Sequence, residues 1–412
     1  MVGGAVRDAL LGRNSGYLDL DFVLPTGAVK TARAIAHHYQ AGFVLLDAER
    51  QIARVVFKQA TADFAQQEGS SLETDLLRRD FTVNAIAYNP HTKEIIDPLQ
   101  GCADLQQTLL KMVSPKNLQD DPLRLLRAYR QAAQLGFAID SDTQSVIRQL
   151  APELGKVAAE RVRVELGYLL SSAEGTRWIL AAWEDKLLAT WFKSTTPEQL
   201  RKLAAVDEAA VTLAETWPNL GVELSQVVRQ PLKTTWLGVA KLACLVAPNP
   251  ELAEAELIQL TYSRAEIRAV TTALKLLPQL QNIAPPVEMS LPEQYFFFRT
   301  AGAIFPSVVV LAVASGIPVE ALAHGGGFPP LSPEGVPSSP IAPLINRYLT
   351  PDDPVAHPTP LVTGTELMKA LRLPSSPLVG ELLMQIQLAY IEGKISTSAE
   401  AIKFASQLLD TP

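Results

Sequence analysis

Residues 18–24, LDLDFVL, carry two aspartates one position apart inside an apolar run. Successive side chains of a strand face opposite sides, so Asp19 and Asp21 should share one face and the apolar residues the other. Neighbouring carboxylates repel each other and need a cation or hydrogen-bond donors. Mg²⁺ suits such oxygen ligands and leaves positions for water and substrate phosphates. The pattern by itself also fits a strand with a polar, half-exposed face.

Composition indicates a globular chain of two or three domains, with 412 residues, 48% hydrophobic and 19% charged. Cys102 and Cys244 are far apart and lack metal-ligand spacing, which fits a reducing cytoplasm. The strongest apolar run, residues 307–319, is interrupted well short of the roughly 18 residues that a membrane span needs. We therefore expect a cytoplasmic protein with no membrane partner.

The net charge of −7 argues mildly against a nucleic-acid partner. The arginines nevertheless cluster, in LLRRDF at 76–81, LRLLRAYRQ at 123–131 and ERVRVE at 160–165. Such clusters predict local basic patches that outweigh the acidic total. The alternative is that they are ordinary solvated helix faces.

The first hundred residues alternate helical and extended patterns. A Gly-Gly turn leads into a short helix, and we predict a helix over 28–40 and strands over 18–24, 43–47, 54–65 and 94–99. From residue 101 onward apolar residues recur at i, i+3 and i+4, which predicts helices. The fold class is therefore α+β, with an α/β head followed by a mainly helical remainder.

Six motifs follow one another in the order VGGAVRDALLG, LDLDFV, LLRRDFTVNAIAY, IIDPLQGCADL, DDPLRLLRAYRQAAQLGF and AERVRVELGYLL. This ordered set resembles the class II tRNA nucleotidyltransferases, which build the CCA end, and the related bacterial poly(A) polymerases. The resemblance is dense over residues 1–170 and returns weakly near the C terminus. It implies a small polymerase-β-like head followed by an all-α neck, body and tail.

The domain boundaries we predict combine this resemblance with the composition. They are a head at 1–100, a neck with the base-recognition motif at 101–170, a body at 171–323, a Pro/Gly-rich linker at 324–360 and a tail at 361–412. Relatives in the family have a helix and part of a strand before the Gly-Gly turn, so the head is expected to lack its N-terminal portion.

By resemblance, Asp19 and Asp21 are the catalytic pair that holds Mg²⁺ beneath a nucleoside triphosphate. The metal would activate the primer 3′-hydroxyl and neutralise the departing pyrophosphate. Asp63, on a neighbouring strand candidate, is a tentative third acid, and a surface strand aspartate is an equal alternative. Gly3 and Gly4 would cradle the triphosphate, because only glycine lets backbone N–H groups approach so closely.

The nucleotide pocket implied by the resemblance also contains Arg7, Arg78, Arg79, Asp80 and Asn84. Arg7 would contact the triphosphate, and the RRDFTVNA residues would handle ribose, phosphates and pocket geometry. The alternative for RRDFTVNA is a helix-start capping pattern with exposed arginines, and for Gly-Gly a plain tight turn.

The DDPLR motif predicts base selection without a template. Asp121 and Arg124, spaced i, i+3 on a helix, would share one face. Asp121 can accept from the amino group of cytosine or adenine while Arg124 donates to the ring nitrogen. Uracil and guanine present the reverse pattern, which costs roughly 1–3 kcal/mol for each mismatched group. Alternatively, the Asp121 carboxylate caps the helix that starts at Pro122.

Arg127 and Arg130 extend the basic face of the pocket. Asp120 stands where the family usually has Glu, and we assign it to bracing the arginines. The motif at 160–165 is taken as support for the neck.

Asp63 and Arg78 are 15 positions apart, as 78 − 63 = 15, which leaves a short loop. Within the family a short loop is associated with CC addition. The leading hypothesis is therefore a Mg²⁺-dependent enzyme that transfers nucleotides from CTP or ATP to the 3′ end of tRNA, releasing pyrophosphate and adding CC, with full CCA addition left open. A poly(A) polymerase and a non-catalytic RNA-binding protein are the alternatives, and the oligomeric state is not predicted.

Overall fold

A computed structural model describes residues 1–13, 16–230, 233–283, 289–319 and 339–409. It divides into two compact units, Met1–Lys193 and Ser194–Pro412. Each unit is described by itself below.

The first unit contains the sheet and a set of shorter helices. Its strands are β1 (Leu18–Leu24), β2 (Gly42–Asp47), β3 (Ile52–Val56), β4 (Ala60–Gln66), β5 (Ala87–Asn89), β6 (Glu94–Ile96), β7 (Leu109–Leu110) and β8 (Ala138–Ile139). Its helices are α1 (Gly4–Leu10), α2 (Ala28–His38), α3 (Leu72–Leu76), α4 (Gly101–Gln106), α5 (Pro115–Asp120), α6 (Leu123–Leu135), α7 (Ser141–Leu150), α8 (Ala159–Leu170) and α9 (Gly175–Glu184), with 3-10 turns at Thr82–Asn84 and Ala151–Lys156.

The main sheet has the strand order β1–β4–β3–β2, in which β1 and β4 are parallel and the other pairs antiparallel. The single strand predicted over 54–65 is wrong, because the chain reverses within it to form β3 and β4. The Phe57 amide donates to the Ala60 carbonyl at 2.8 Å and closes this turn. The strand predicted over 18–24 is confirmed with the same bounds.

Helix α2 covers one face of the sheet with Ala28, Ala32 and Ala36, all buried. These small side chains let the helix approach the strands closely. Phe22 of β1 stacks on Phe64 of β4 beneath it, with ring centroids 5.1 Å apart. Because Phe22 faces α2, strand alternation turns Asp19 and Asp21 to the opposite face.

The first two residues run along the free edge of β1 and link it to β5. The Val2 amide donates to the Asp21 carbonyl at 2.9 Å, and the Tyr88 amide donates to the Met1 carbonyl at 2.9 Å. The Val2 side chain is buried in a small cluster with Leu76 and Ala85. These bonds place the Gly-Gly turn directly beside β1.

The regular secondary structure described in the second unit is helical, apart from an isolated β-bridge between Val227 and Thr235. Its helices are α10 (Pro197–Thr216), α11 (Pro218–Leu224), α12 (Trp236–Ala243), α13 (Pro250–Gln259), α14 (Arg264–Gln281), α15 (Leu291–Ala301), α16 (Phe305–Ala314), α17 (Ala342–Leu349), α18 (Gly364–Leu371), α19 (Pro377–Ile391) and α20 (Ser398–Leu409), with a 3-10 turn at Gly302–Ile304.

Helix α16 lies at the centre of this unit and contacts α10, α12 and α14. Together with α15 it forms a helical stretch, Leu291–Ala314, of 24 residues that is long and apolar enough to cross a membrane by length and composition. Its most apolar window is 61% buried inside the protein, as in a core helix. This stretch is longer than the apolar run 307–319 that was considered from the sequence, because it also includes α15.

The predicted linker, 324–360, lies partly outside the described residues, over 324–338. In the part that is described, α17 occupies Ala342–Leu349. Helices α18–α20 share a small core that includes Leu367, Ile386 and Ala401. The domain boundaries given above stay predictions.

The packing of α2 gives a stability prediction. Ala32→Leu adds volume to a fully buried contact with the sheet and should lower the free energy of unfolding by about 1–3 kcal/mol. Ala34→Leu, on the exposed side of the same helix, is the matched control and should change it by less than about 0.5 kcal/mol. Denaturant unfolding of both variants measures the difference; equal effects would contradict the packing described.

Candidate active site

Asp19 and Asp21 lie on the face of β1 that α2 leaves uncovered. In the parallel register of β1 with β4, Asp19 is opposite Thr61 and Asp21 is opposite Asp63. The Thr61 hydroxyl donates a hydrogen bond to the Asp19 carboxylate. The sequence prediction that the two acids share one face is thus confirmed by the strand packing.

Gly3 brings the Gly-Gly turn against Asp21. Its φ of +72° lies in the left-handed region, which favours glycine. A Cβ built on Gly3 would lie 3.1 Å from the Asp21 Oδ2 atom and 3.1 Å from the Arg79 Nη1 atom. A carboxylate and a guanidinium therefore meet at one point of the backbone, where a Cβ would force one of them to shift. Gly4, the next residue, begins α1.

The Asp21 carboxyl carries unfavourable negative charge. Burial raises its pKa, and the nearby Asp63 and Asp19 carboxylates raise it further, to about 6, although Arg79 acts in the opposite direction. A bound cation would relieve this repulsion.

The donor set fits Mg²⁺, which accepts one or two protein carboxylates and completes its octahedron with water and phosphate oxygens. Among the described residues no group of three or more His, Cys, Asp and Glu side chains could hold a metal.

Asp63, the tentative third acid, lies beside Asp21 but is already paired. Both of its oxygens accept from Arg54 of β3, at 2.7 Å from Nε and 2.8 Å from Nη2. This bidentate pair commits the Asp63 carboxylate and leaves its charge to act on Asp21 only through space.

The two arginines of the RRDF motif have different surroundings. Arg79 places its Nη1 beside Gly3 and Asp21, and its Nη2 lies 3.3 Å from Oδ2 of Asp75 in α3. Its Nε is buried with no partner in the described part of the chain. The Arg78 side chain is 61% exposed and pairs at 3.1 Å with Glu68. Only Arg79 is brought next to Asp21.

A buried polar network joins α1 to the neck helices. Arg7 Nη1 donates to the Asn84 Oδ1 atom at 2.7 Å, and Asn84 Nδ2 donates to Asp80 Oδ1 and Gln131 Oε1, each at 2.9 Å. Arg127 donates to Asp80 Oδ2 from Nη2 at 2.8 Å and from Nε at 3.0 Å.

Asp80 is the anion on which this network depends. Burial alone would raise the pKa of its carboxyl, but the positive charge of Arg127 and hydrogen bonds from Asn84, Arg127 and the Phe81 amide lower it to about 2. The Asp80 carboxylate therefore stays ionised in the protein interior.

A polar cleft of about 240 Å³ opens next to this network. It is lined by Arg79, Asp80, Asp121, Leu123, Arg124, Arg127 and Arg161. The cleft thus brings the DDPLR residues together with part of the RRDF motif, as the resemblance implied.

The predicted helical placement of Asp121 is wrong. Its φ of −135° and ψ of 92° are extended, and α6 begins at Leu123 with Pro122 as its cap residue. The proline ring disfavours helical backbone in the preceding residue, which explains the extended geometry. Asp121 and Arg124 reach the same cleft from a helix junction and not from one helix face.

The Asp121 carboxylate divides its oxygens between two partners. Its Oδ1 accepts a long bond of 3.4 Å from the Leu123 amide, and its Oδ2 accepts from Arg161 Nη2 at 3.0 Å. Its capping role is therefore weak, and Arg161 of α8 is its main partner.

The other neck arginines are held by different groups. Arg124 Nη1 donates to two backbone carbonyls, whereas Arg130 pairs with the buried Glu165 of α8. Arg127 Nη1 also lies 3.7 Å from Glu165. Asp120 is exposed at the end of α5. Glu165, and not Asp120, therefore braces the arginine row.

The short loop after β4 is fixed at both ends. The Gln67 amide donates to the Leu24 carbonyl at 2.8 Å, the Glu68 amide donates to Asp75 Oδ1 at 3.0 Å, and the Ser71 hydroxyl caps α3. The loop is thus a tight connection from β4 to α3.

Sequence reasoning did not single out Arg54, Thr61, Asn117 or Gln131. Thr61 and Arg54 act through sheet register, which the sequence does not specify. Gln131 lies i, i+4 from Arg127 on α6, and this spacing is a signal that could have identified it.

Profiles of known families match three parts of the chain. Residues 1–68 and 58–111 match the poly(A) polymerase head domain, residues 136–199 the "Probable RNA and SrmB-binding site of polymerase A", and residues 338–405 tRNA nucleotidyltransferase domain 2. Together these profiles indicate a nucleotidyltransferase.

Full-length relatives define the family more narrowly. A CC-adding tRNA nucleotidyltransferase of Synechocystis sp. is 49% identical over 99% of this chain and 93% of its own length. An A-adding tRNA nucleotidyltransferase of Deinococcus radiodurans is 32% identical over 99% of this chain and 94% of its own. The chain belongs to the tRNA nucleotidyltransferase family, whose members are enzymes.

The fold also agrees with that of a solved relative. The Thermotoga maritima CCA-adding enzyme complexed with tRNA matches with a TM-score of 0.67 and 23% identity, over 99% of this chain and 90% of that one. The α+β fold predicted from the sequence is confirmed by this likeness.

The Asp80 network gives a pH-dependent prediction. Because the folded-state pKa of Asp80 is below its usual value of 3.8, its ionic stabilisation is present above about pH 4 and is lost as the pH falls toward 2. Asp80→Asn should lower the free energy of unfolding by about 2 kcal/mol or more at pH 7. At pH 3 the difference between the wild type and this variant should be smaller by about 1 kcal/mol, because the wild-type protein has then lost part of its ionic stabilisation.

Denaturant unfolding at the two pH values measures the effect. Asp142→Asn, which removes an exposed carboxylate of α7, is the control. A deficit in Asp80→Asn that is the same at both pH values would contradict the ionic role.

Proposed function

We propose that this protein is a Mg²⁺-dependent tRNA nucleotidyltransferase that adds CC to the 3′ end of tRNA. The observation that carries the proposal is the meeting of Asp19, Asp21, Gly3 and Arg79 on one face of β1. That arrangement offers anionic oxygens for a metal beside a cation and a bare stretch of backbone for a triphosphate.

Asp19 and Asp21 are the residues that would hold the metal. When bound, Mg²⁺ would lower the pKa of the attacking 3′-hydroxyl and neutralise negative charge on the departing pyrophosphate. Thr61 keeps Asp19 in position through its hydrogen bond. The Arg79 guanidinium, which lies beside Gly3 and Asp21, would supply a positive charge and hydrogen-bond donors for phosphate oxygens.

The remaining predicted pocket residues divide by role. Gly4 and Arg7 border the triphosphate side, while Asp80 and Asn84 form the buried anchor that holds Arg127. Arg78 and Arg130 are assigned outer roles, since each is paired with a carboxylate. Asp63 and Asp120 are not assigned to metal or nucleotide.

Base selection falls to Asp121 and Arg124 in the polar cleft. A carboxylate oxygen has two acceptor sites, so Asp121 can accept from a base amino group while it keeps Arg161. Arg124 donates to the ring nitrogen of cytosine. CTP is accepted by this pattern, and UTP, with a carbonyl and a ring N–H, is rejected.

Two observations support addition of CC only. The connection from β4 to α3 is short and tied at both ends, and a relative with 49% identity is a CC-adding enzyme. The 32% identical A-adding relative makes A addition the second candidate. We further propose that the protein acts in the cytoplasm, on the acceptor end of tRNA.

Nucleotide choice tests the specificity. With tRNA that lacks its CCA end and Mg²⁺, the protein should add two C residues from CTP and then stop, even when ATP is present. High-resolution gel analysis of the product lengths reads the result. Addition of C, C and A would replace the CC-only proposal, and repeated A addition would favour a poly(A) polymerase.

The metal pair is tested by substitution. Asp19→Ala should lower the rate of CTP incorporation by about a hundredfold or more, because the metal loses one of its two protein ligands. Its affinity for tRNA, measured by gel shift, should stay within about twofold of the wild type. Asp142→Asn is the control and should keep full activity.

Chelation supplies an independent check on the same pair. EDTA should stop incorporation by the wild type, and excess Mg²⁺ should restore it. Incorporation that persists in EDTA or in Asp19→Ala would refute the metal assignment. Binding of tRNA with no pyrophosphate release by the wild type would instead identify a non-catalytic RNA-binding protein.

A further inference from the structure

Three consecutive backbone carbonyls follow α3, and all three accept hydrogen bonds from neck side chains. Asn117 of α5 donates from Nδ2 to the Leu77 and Arg79 carbonyls, each at 2.8 Å. Arg124 of α6 donates from Nη1 to the Arg78 carbonyl at 3.0 Å. The backbone of the RRDF motif is thus clamped by two residues that lie some forty positions further along the chain.

The same two residues are also bonded to each other. Arg124 Nη1 donates a second time, to the Asn117 carbonyl, at 2.9 Å. Both hydrogens of that Nη1 are therefore used by backbone oxygens. A guanidinium is planar, so fixing one of its nitrogens by two bonds fixes the plane of the whole group. Arg124 is also one of the residues that line the polar cleft.

Asn117 is built into this position. Asn117 is 8% exposed. Its backbone amide donates to the Ser114 hydroxyl, which caps the start of α5. An asparagine amide has two N–H donors, which match the two carbonyls it contacts. An aspartate of the same shape would set a carboxylate against both carbonyls, so the donor chemistry and not the shape alone is required.

We propose that Asn117 is a positioning residue for base selection, which acts by holding Arg124 and the RRDF backbone in one arrangement. It does not touch the nucleotide. It fixes the orientation in which the Arg124 guanidinium meets the base. It also connects Arg124 to Arg79, on the triphosphate side of the pocket, through the backbone that both Asn117 and Arg124 contact. This inference rests on the proposed function, because it concerns how that same site distinguishes CTP from UTP.

The consequence is a loss of selectivity that exceeds the loss of binding. Without the Asn117 amide, the Leu77–Arg79 backbone is free to shift, and the Arg124 guanidinium can rotate toward a uracil carbonyl. Asn117→Ala should lower the ratio of kcat/KM for CTP to kcat/KM for UTP about tenfold, which corresponds to one misplaced hydrogen bond in a buried site. Asn117→Ser, which keeps one donor, should give an intermediate ratio.

A matched control separates this role from support of α5. Ser114→Ala removes the cap of the same helix but leaves the Asn117 side chain and the three carbonyls in place. It should lower the denaturant midpoint of unfolding and leave the CTP to UTP ratio unchanged. A positioning role predicts that only the Asn117 variants change the ratio.

A double-mutant cycle tests the route through Arg124. In an Arg124→Ala background, adding Asn117→Ala should change the ratio by less than about twofold, because the group that Asn117 positions is already gone. Single-turnover incorporation into tRNA that lacks its CCA end gives all four rates. The inference is overturned if Asn117→Ala keeps the wild-type ratio, if Ser114→Ala loses it equally, or if the effect of Asn117→Ala persists without Arg124.

The outcomes are distinct from failure of the proposed function. If the wild type adds no cytidine to tRNA, the proposed function itself fails and the positioning role fails with it. If the wild type adds cytidine selectively and the Asn117 variants do so too, only the positioning role is wrong.

Discussion

The parallel pairing of β1 with β4 is the constraint on which the site depends. It sets Asp21 directly opposite Asp63, and the Val2 amide fixes the Asp21 backbone from the other side. The strand thereby holds a carboxylate among other acids in a partly buried place, where its pKa rises to about 6. Strand pairing and the α2 core maintain this unfavourable charge, and a bound cation would make it favourable.

The arginines of the first unit compensate the charge of some carboxylates more completely than that of others. Two acids near the site are paired with arginines: Asp63 with Arg54, and the buried Asp80 with Arg127. Asp21 has only the partial support of Arg79, which is shared with Asp75. The paired carboxylates of Asp63 and Asp80 hold the surrounding structure in place. The Asp21 carboxylate, which is less completely paired, lies where a metal ion and a triphosphate would bind.

The sequence predicted the parts of this site that depend on local geometry. Alternation in β1 was enough to place Asp19 and Asp21 on one face, and the order of motifs identified the family. It failed where distant segments or a helix junction decide the result: the turn between β3 and β4, the extended Asp121 before Pro122, and the Arg54–Asp63 pair. Asn117 was missed because its partners are backbone carbonyls, which carry no residue signature.

The most direct test of the central claim is to locate the metal. Crystals of the protein with Mn²⁺ and a non-hydrolysable CTP analogue would show the ion by anomalous scattering. The account predicts a peak within about 2.2 Å of oxygens from both Asp19 and Asp21 and of a triphosphate oxygen. A peak elsewhere, with neither carboxylate as a ligand, would contradict it.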